Sequence, residues 1–131
     1  MPIPPALLRR LYVEGSLRNR RDGFEFMLRN RLAPGTLLQL GPLTVDGRRY
    51  EGDNLLLHTR KSTRPTEKIA AEFPFDWPIN ADITLIGVGP RLAAGAHTLT
   101  LDLMLRQTGK ATLTIEDTLA SPDPAPSAPP A

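Results

Sequence analysis

Three of the chain's seven aromatic residues fall within five positions, in the run Phe73-Pro74-Phe75-Asp76-Trp77-Pro78. Interspersed prolines hold such a run extended, and alternate residues of an extended chain share a side, so Phe73, Phe75 and Trp77 are expected to face one way. Large aromatics contribute most to association where the centre of an interface is desolvated. The run therefore reads as an anchor for another subunit, with Arg60, Lys61 and Arg64 as its polar rim, or as a plug closing one open end of the fold. A sugar platform would want neighbouring amides and carboxylates, and only Asp76 and Asn80 stand close by, which favours a protein contact.

Arginine supplies a second candidate. Arg18 and Arg20 share one parity and Arg29 and Arg31 share one on the next segment, so two adjacent strands can present a basic stripe able to track phosphates. Tyr12 is the only aromatic on the polar parity of the first strand, and this scarcity of stacking platforms counts against nucleic acid. A solvated sheet face is the plain alternative. The charge is divided along the chain: nine arginines against Glu14, Asp22, Glu25 and Asp46 give residues 1–50 a balance of +5, and seven Lys/Arg against ten Asp/Glu give residues 51–131 a balance of −3. Such asymmetry suits a contact with a partner as readily as an anion.

The two histidines are weaker candidates. His97 shares parity with Leu99, Leu101, Leu103 and Leu105, which puts it at the rim of a core, bonded to backbone. His58 follows three leucines at the start of a long connection. Both are candidate rim residues of a site. Neither has a second histidine at ligand spacing, so no metal is expected, and no cofactor motif accompanies them. Nucleophile, phosphate-loop, dinucleotide and metalloprotease signatures are absent from the sequence. Adjacent acids such as Glu116-Asp117 would point to opposite faces of a strand and could not serve one bond. A pairing of His97 with Asp102 fails for the same reason of parity. No catalytic residue is therefore assigned.

The elements that must position these residues are strands. The chain has 131 residues, fourteen prolines, ten glycines and no cysteine, which disfavours a helical bundle and excludes disulfides and thiolate sites. Alternation of apolar and polar residues recurs over 11–18, 23–32, 97–106 and 111–116, the signature of half-buried strands. Shorter strands are expected over Leu37–Val45, Asn54–Thr59 and Asp82–Val88. Asp46-Gly47 is a strong two-residue hairpin signal, and Gln107–Lys110 joins the last two strands. In 60–80 the pattern breaks; Thr66 could cap one or two helical turns there, and long connections in compact domains are usually functional. Seven to eight strands at this spacing predict an all-β, two-sheet antiparallel sandwich of immunoglobulin-like type over residues 6–119. Residues 120–131, rich in Pro and Ala, are expected to form a disordered tail. No apolar run approaches the ~18 residues that span a bilayer, and the prolines and arginines of the N-terminus do not make a secretory signal, so a cytoplasmic protein without a membrane partner is expected.

The segments Val45-Asp46-Gly47-Arg48-Arg49-Tyr50 and Leu92-Ala93-Ala94-Gly95-Ala96-His97-Thr98-Leu99-Thr100-Leu101, with a connection ending in Trp77-Pro78 between them, resemble the small beta subunits of bacterial C-glycoside deglycosidases and similar short sandwich proteins over residues 40–106. The resemblance implies a sandwich docked on a TIM-barrel subunit that carries the metal and cleaves the sugar–aglycone bond, with no catalytic residue on this chain. The functional expectation is accordingly a non-catalytic accessory or small subunit of a larger enzyme, or a homo-oligomer. The rival is a self-sufficient module that binds an anionic ligand or nucleic acid through Arg18, Arg20, Arg29 and Arg31.

Overall fold

A computed structural model describes residues 3–119; the expected tail, residues 120–131, lies outside the described residues. After a single helical turn, α1 (Pro5–Leu8), ten strands follow: β1 Arg18–Arg20, β2 Gly23–Arg29, β3 Gly35–Val45, β4 Arg48–Tyr50, β5 Leu55–His58, β6 Thr63–Pro65, β7 Phe75–Trp77, β8 Asp82–Val88, β9 Gly95–Leu105 and β10 Gly109–Leu119. One sheet has the order β1-β2-β8-β5-β6. The other has β10-β9-β3-β4, with β7 paired to the start of β3. Every pairing is antiparallel. Leaving out the short strands β4, β6 and β7, the order is β1-β2-β8-β5 against β10-β9-β3, the strand order of an immunoglobulin-like sandwich.

The alternation seen in the sequence is the alternation of burial. Phe24, Phe26 and Leu28 of β2, Leu55 and Leu57 of β5, and Ile83 and Leu85 of β8 face Leu37, Leu40, Leu43 and Val45 of β3 and the leucines of β9 in one continuous core. Burying each such side chain is worth ~1.5–3 kcal/mol, which binds the two sheets together. Phe24 stands opposite Gly87 across the β2–β8 ladder, its ring edge-on to Tyr50 with centroids 5.1 Å apart. A Cβ on Gly87 would collide with the Phe24 ring, so only glycine admits the ring there.

Two stretches differ from the expectation. Residues 11–18 are not a continuous strand. A 3-10 turn covers Arg9–Leu11, Tyr12 makes one bridge to Leu28, and Gly15 takes a left-handed φ of 78°. The Ser16 N–H bonds the Val13 carbonyl at 3.1 Å, while the Ser16 hydroxyl accepts the Met27 N–H at 3.0 Å. A serine turn thus takes the place of the ladder, and regular pairing resumes only at Arg18. The stretch 60–80 is not a structureless loop either: it holds β6, β7 and a single 3-10 turn over Thr66–Lys68. Thr66 does not cap that turn. It is the turn's first residue, its side chain is buried, and Pro65 occupies the capping position without a side-chain bond. The Asp46-Gly47 hairpin is present, both residues having positive φ, 51° and 89°, as the tight turn that matches strand twist requires.

Candidate functional site

The aromatic run is split between core and surface. Trp77 is only 2% exposed, its indole N–H donating to the Ala81 carbonyl at 2.9 Å and its own carbonyl accepting from the Asn30 amide at 2.9 Å. It closes the sandwich and is withdrawn from the set of surface anchors. β7 pairs Trp77 with Gly35 and Phe75 with Leu37, and this pairing pulls both side chains toward the core. Phe75 is half-buried. Phe73 lies one step outside, in a two-residue turn closed by the reciprocal Ala70–Phe73 backbone bonds of 3.0 and 3.2 Å, and is 73% exposed. The three rings therefore do not form one face.

The remaining rim residues do converge. Arg60, Lys61, Phe75, Asp76, Asn80 and Asp82 line an open groove of about 500 Å³. The Arg64 guanidinium carbon lies 5.8 Å from the Phe75 ring centre, in reach of the ring's negative face. The two acidic groups of the groove are engaged elsewhere: Asp82 is held by a two-pronged bond from Arg29 at 2.6 and 3.0 Å, and Asp76 accepts from the Thr36 hydroxyl at 3.4 Å. No ion pair reaches Arg60 or Lys61 among the described residues. The groove thus offers two uncommitted cations beside an aromatic floor, a surface for carboxylates.

Asn30, which sequence reasoning did not single out, holds the wall of this groove. Its buried amide donates to the carbonyls of Ala33 and Trp77, and its side-chain oxygen accepts from the Leu32 N–H. Its main-chain carbonyl accepts the N–H of Asn80, a residue in left-handed conformation at φ 65°. Only a short side chain with a donor and an acceptor could tie these turns together. A lone asparagine after Arg29 gives no sign of this in the sequence.

The arginine stripe is not a free basic surface. In the β1–β2 ladder Arg18 stands opposite Glu25. Arg18 Nε donates to Glu25 Oε2 at 2.9 Å and Arg20 Nη1 to Oε1 at 2.7 Å, and Arg20 also approaches Asp22 at 3.5 Å. Glu25 itself is buried by this clasp. The Arg29 guanidinium, with Arg31 adding its field, holds the Asp82 carboxyl below the usual carboxylate range against the opposing effect of burial. Of the four arginines only Arg31 makes no ion pair among the described residues, so the phosphate-tracking stripe loses its charge to neighbouring carboxylates.

His97 is buried at the rim as its parity implied, and it is paired. Its Nδ1 lies 2.5 Å from Asp46 Oδ2 and its Nε2 2.6 Å from the Ala93 carbonyl. Asp46 also accepts the Thr98 N–H at 2.9 Å. Burial works against the imidazolium, but the Ala93 carbonyl and the Asp46 carboxylate outweigh it and raise the His97 pKa. The Thr98 N–H first, and then His97, lower that of Asp46. Asp102 plays no part; it accepts the Thr112 hydroxyl at 2.9 Å. His58 is exposed and bonded to the Thr63 hydroxyl, outside the groove. A second pair of a buried ring with a carboxylate escaped the sequence reading: the Tyr12 hydroxyl donates to Asp117 at 2.5 Å, and burial followed by that carboxylate pushes the phenol far up. No group of three or more metal-ligating side chains occurs among the described residues, and none of the described helices is long and apolar enough to cross a membrane.

Residues 7–120 match the family model described as hydroxymethylglutaryl-CoA reductase, N-terminal domain. The chain belongs to that family. The match takes in the sandwich from α1 to the end of β10 and overturns the expected kinship with C-glycoside deglycosidase beta subunits, together with the TIM-barrel partner which that kinship implied. The residues that carried the resemblance explain the misassignment. Asp46, Gly47 and Gly95 all have positive φ, so they mark turns that any antiparallel sandwich must make and carry no family information. No curated protein matches the chain.

Proposed function

We propose that this chain is a non-catalytic docking module acting in the cytoplasm with a larger catalytic unit of the hydroxymethylglutaryl-CoA reductase kind. The family match supports the enzyme context, since its name is that of one domain of such a reductase. The observation that carries the docking reading is the groove lined by half-buried Phe75, which lies under Arg64, and by Arg60 and Lys61, both free of ion pairs among the described residues, with exposed Phe73 two residues before Phe75 in the chain. A partner segment with an acidic side chain beside an apolar one fits this surface. The acid would reach the two cations, the apolar side chain would lie against Phe75, and a segment long enough to pass beyond the groove would also cover exposed Phe73, a large aromatic whose truncation is costly once it is desolvated.

The test is calorimetric titration of the purified chain with the catalytic portion of a hydroxymethylglutaryl-CoA reductase from the same organism. Binding is expected, and Phe73→Ala and Lys61→Glu should each weaken it by about tenfold or more with the fold unchanged. Absence of heat up to about 100 µM, or binding indifferent to both substitutions, overturns the proposal.

A further inference from the structure

We propose that β10 is a self-complementary edge through which two copies of this chain join into one continuous sheet. Five strands form the lateral edges of the two sheets, and four of them, β1, β4, β6 and β7, are only three residues long. The fifth, β10, runs for eleven residues. It pairs with β9 at every position from Gly109 to Leu119 without a register shift. Natural sheets blunt exposed edges with prolines, bulges, short strands or inward charges. β6 ends in Pro65 and the other three short edges span three residues each, whereas β10 has no proline and no bulge. Its one inward-facing charge, Asp117, is occupied by the Tyr12 hydroxyl and the Gly15 N–H. Although α1 packs against β10, no backbone hydrogen bond from outside the sheet reaches the strand among the described residues.

The occupant is argued from the order of side chains. When an antiparallel strand pairs with its own copy about a two-fold axis, each residue meets the one equally far on the other side of the axis. With the axis at Leu113, Lys110 meets Glu116 and Glu116 meets Lys110 on the outer face, while Thr112 meets Thr114. On the inner face Leu113 meets Leu113 and Ala111 meets Ile115. Asp117 falls opposite Gly109, which has no side chain to confront it. Moving the axis by one residue to Thr114 places Ala111 against Asp117 and Lys110 against Thr118; moving it to Thr112 sets Lys110 against Thr114. Only the register at Leu113 unites opposite charges, a threonine pair and apolar pairs, the combinations that stabilise facing strands. Ala111 and Ile115 are packed against the core but only partly covered, and the second copy would cover them further. The interface is isologous, so it closes at two copies. It brings together the outward-facing Thr98, Thr100, Thr112 and Thr114 of both chains on one side of a broad sheet.

The experiment is sedimentation equilibrium of the chain and its charge variants. The unaltered chain is expected at twice its 14.4 kDa mass. Lys110→Glu sets a carboxylate against that of Glu116 at both ends of the contact, and Glu116→Lys sets two ammonium groups together in the same places, so each variant alone should sediment as a monomer. Because the axis pairs position 110 of one copy with 116 of the other, an equimolar mixture of the two variants should return to the dimer mass, as should the double variant Lys110→Glu/Glu116→Lys. Recovery in the mixture cannot come from a folding defect, since both components are then folded. A monomeric unaltered chain at about 100 µM, or single variants that remain dimeric, overturns the proposal. So does a mixture that stays monomeric while circular dichroism shows both variants folded.

Discussion

At the scale of single residues, the His97 ring illustrates how a rim position becomes a titrating clamp. A carboxylate and a carbonyl are both acceptors, so both ring nitrogens must carry protons for the Asp46 and Ala93 bonds to exist together. The clamp ties the β3–β4 hairpin to the start of β9. The folded His97 pKa is raised from 6.5, so its contribution is complete below that value and is lost as pH rises through the folded pKa. The folded Asp46 pKa is lowered from 3.8, so its share is present above that value and is lost as pH falls through the folded one. His97→Gln should therefore lower Tm most between about pH 4 and 6.5 and progressively less above pH 7. Thermal scans of both proteins from pH 3 to 9 read this difference directly, and a gap that widens toward alkaline pH would refute the clamp. Parity in the sequence placed His97 at the core's rim. The Asp46 partner was hidden, because it is fixed by which turn abuts β9, and alternation within one strand is silent on that. The same blindness made Arg18, Arg20 and Arg29 read as a free stripe, because Glu25 and Asp82 come to them through the register of neighbouring strands.

At the scale of elements, β2, β9 and β10 were legible from strict alternation and lie within a few residues of the expected spans because one face of each is core, while β8 has the bounds expected for one of the shorter strands. Pattern failed where local chemistry outweighs the ladder. The Ser16 turn and left-handed Gly15 divide the first expected strand, and β6 and β7 are too short and proline-flanked to show a period. Trp77 joined its neighbours on paper through parity, yet β7 pairs with β3 for three residues only, leaving Phe73 beyond the last pair. The β2–β8 ladder shows a constraint of a different kind. Gly87 is buried beneath Phe24, and the ring cannot retreat because Tyr50 stands edge-on to it. Gly87→Ala should destabilise the fold by about 1–3 kcal/mol, the usual cost of overpacking. Urea unfolding would show a lower midpoint at unchanged slope; an unchanged midpoint would mean that the ring has another rotamer available.

At the scale of the whole molecule, one core joins everything described. Leu8 and Leu11 from the N-terminal turns, both sheets and Trp77 belong to a single buried cluster, and the ladders that build it connect distant parts of the chain: β3 with β9, β2 with β8, β5 with β8. No sheet can persist without the other, so unfolding should be all-or-none. It should also be slow to reverse, because loop closure precedes the reward of distant pairing. Trp77 is the only tryptophan and lies inside that cluster, so its fluorescence reports the core while far-ultraviolet circular dichroism reports the sheets. The two signals should fall together on heating. The self-pairing proposed for β10 adds one further consequence: a folded pair would be favoured by mass action, so Tm should climb with protein concentration. Lys110→Glu should keep the coincidence of the two signals, which depends on the shared core, and lose the concentration dependence, which depends on the edge. A sloping Tm in that variant would move the self-contact to another surface, whereas separated transitions in the unaltered chain would break the link between the two sheets on which the architecture rests.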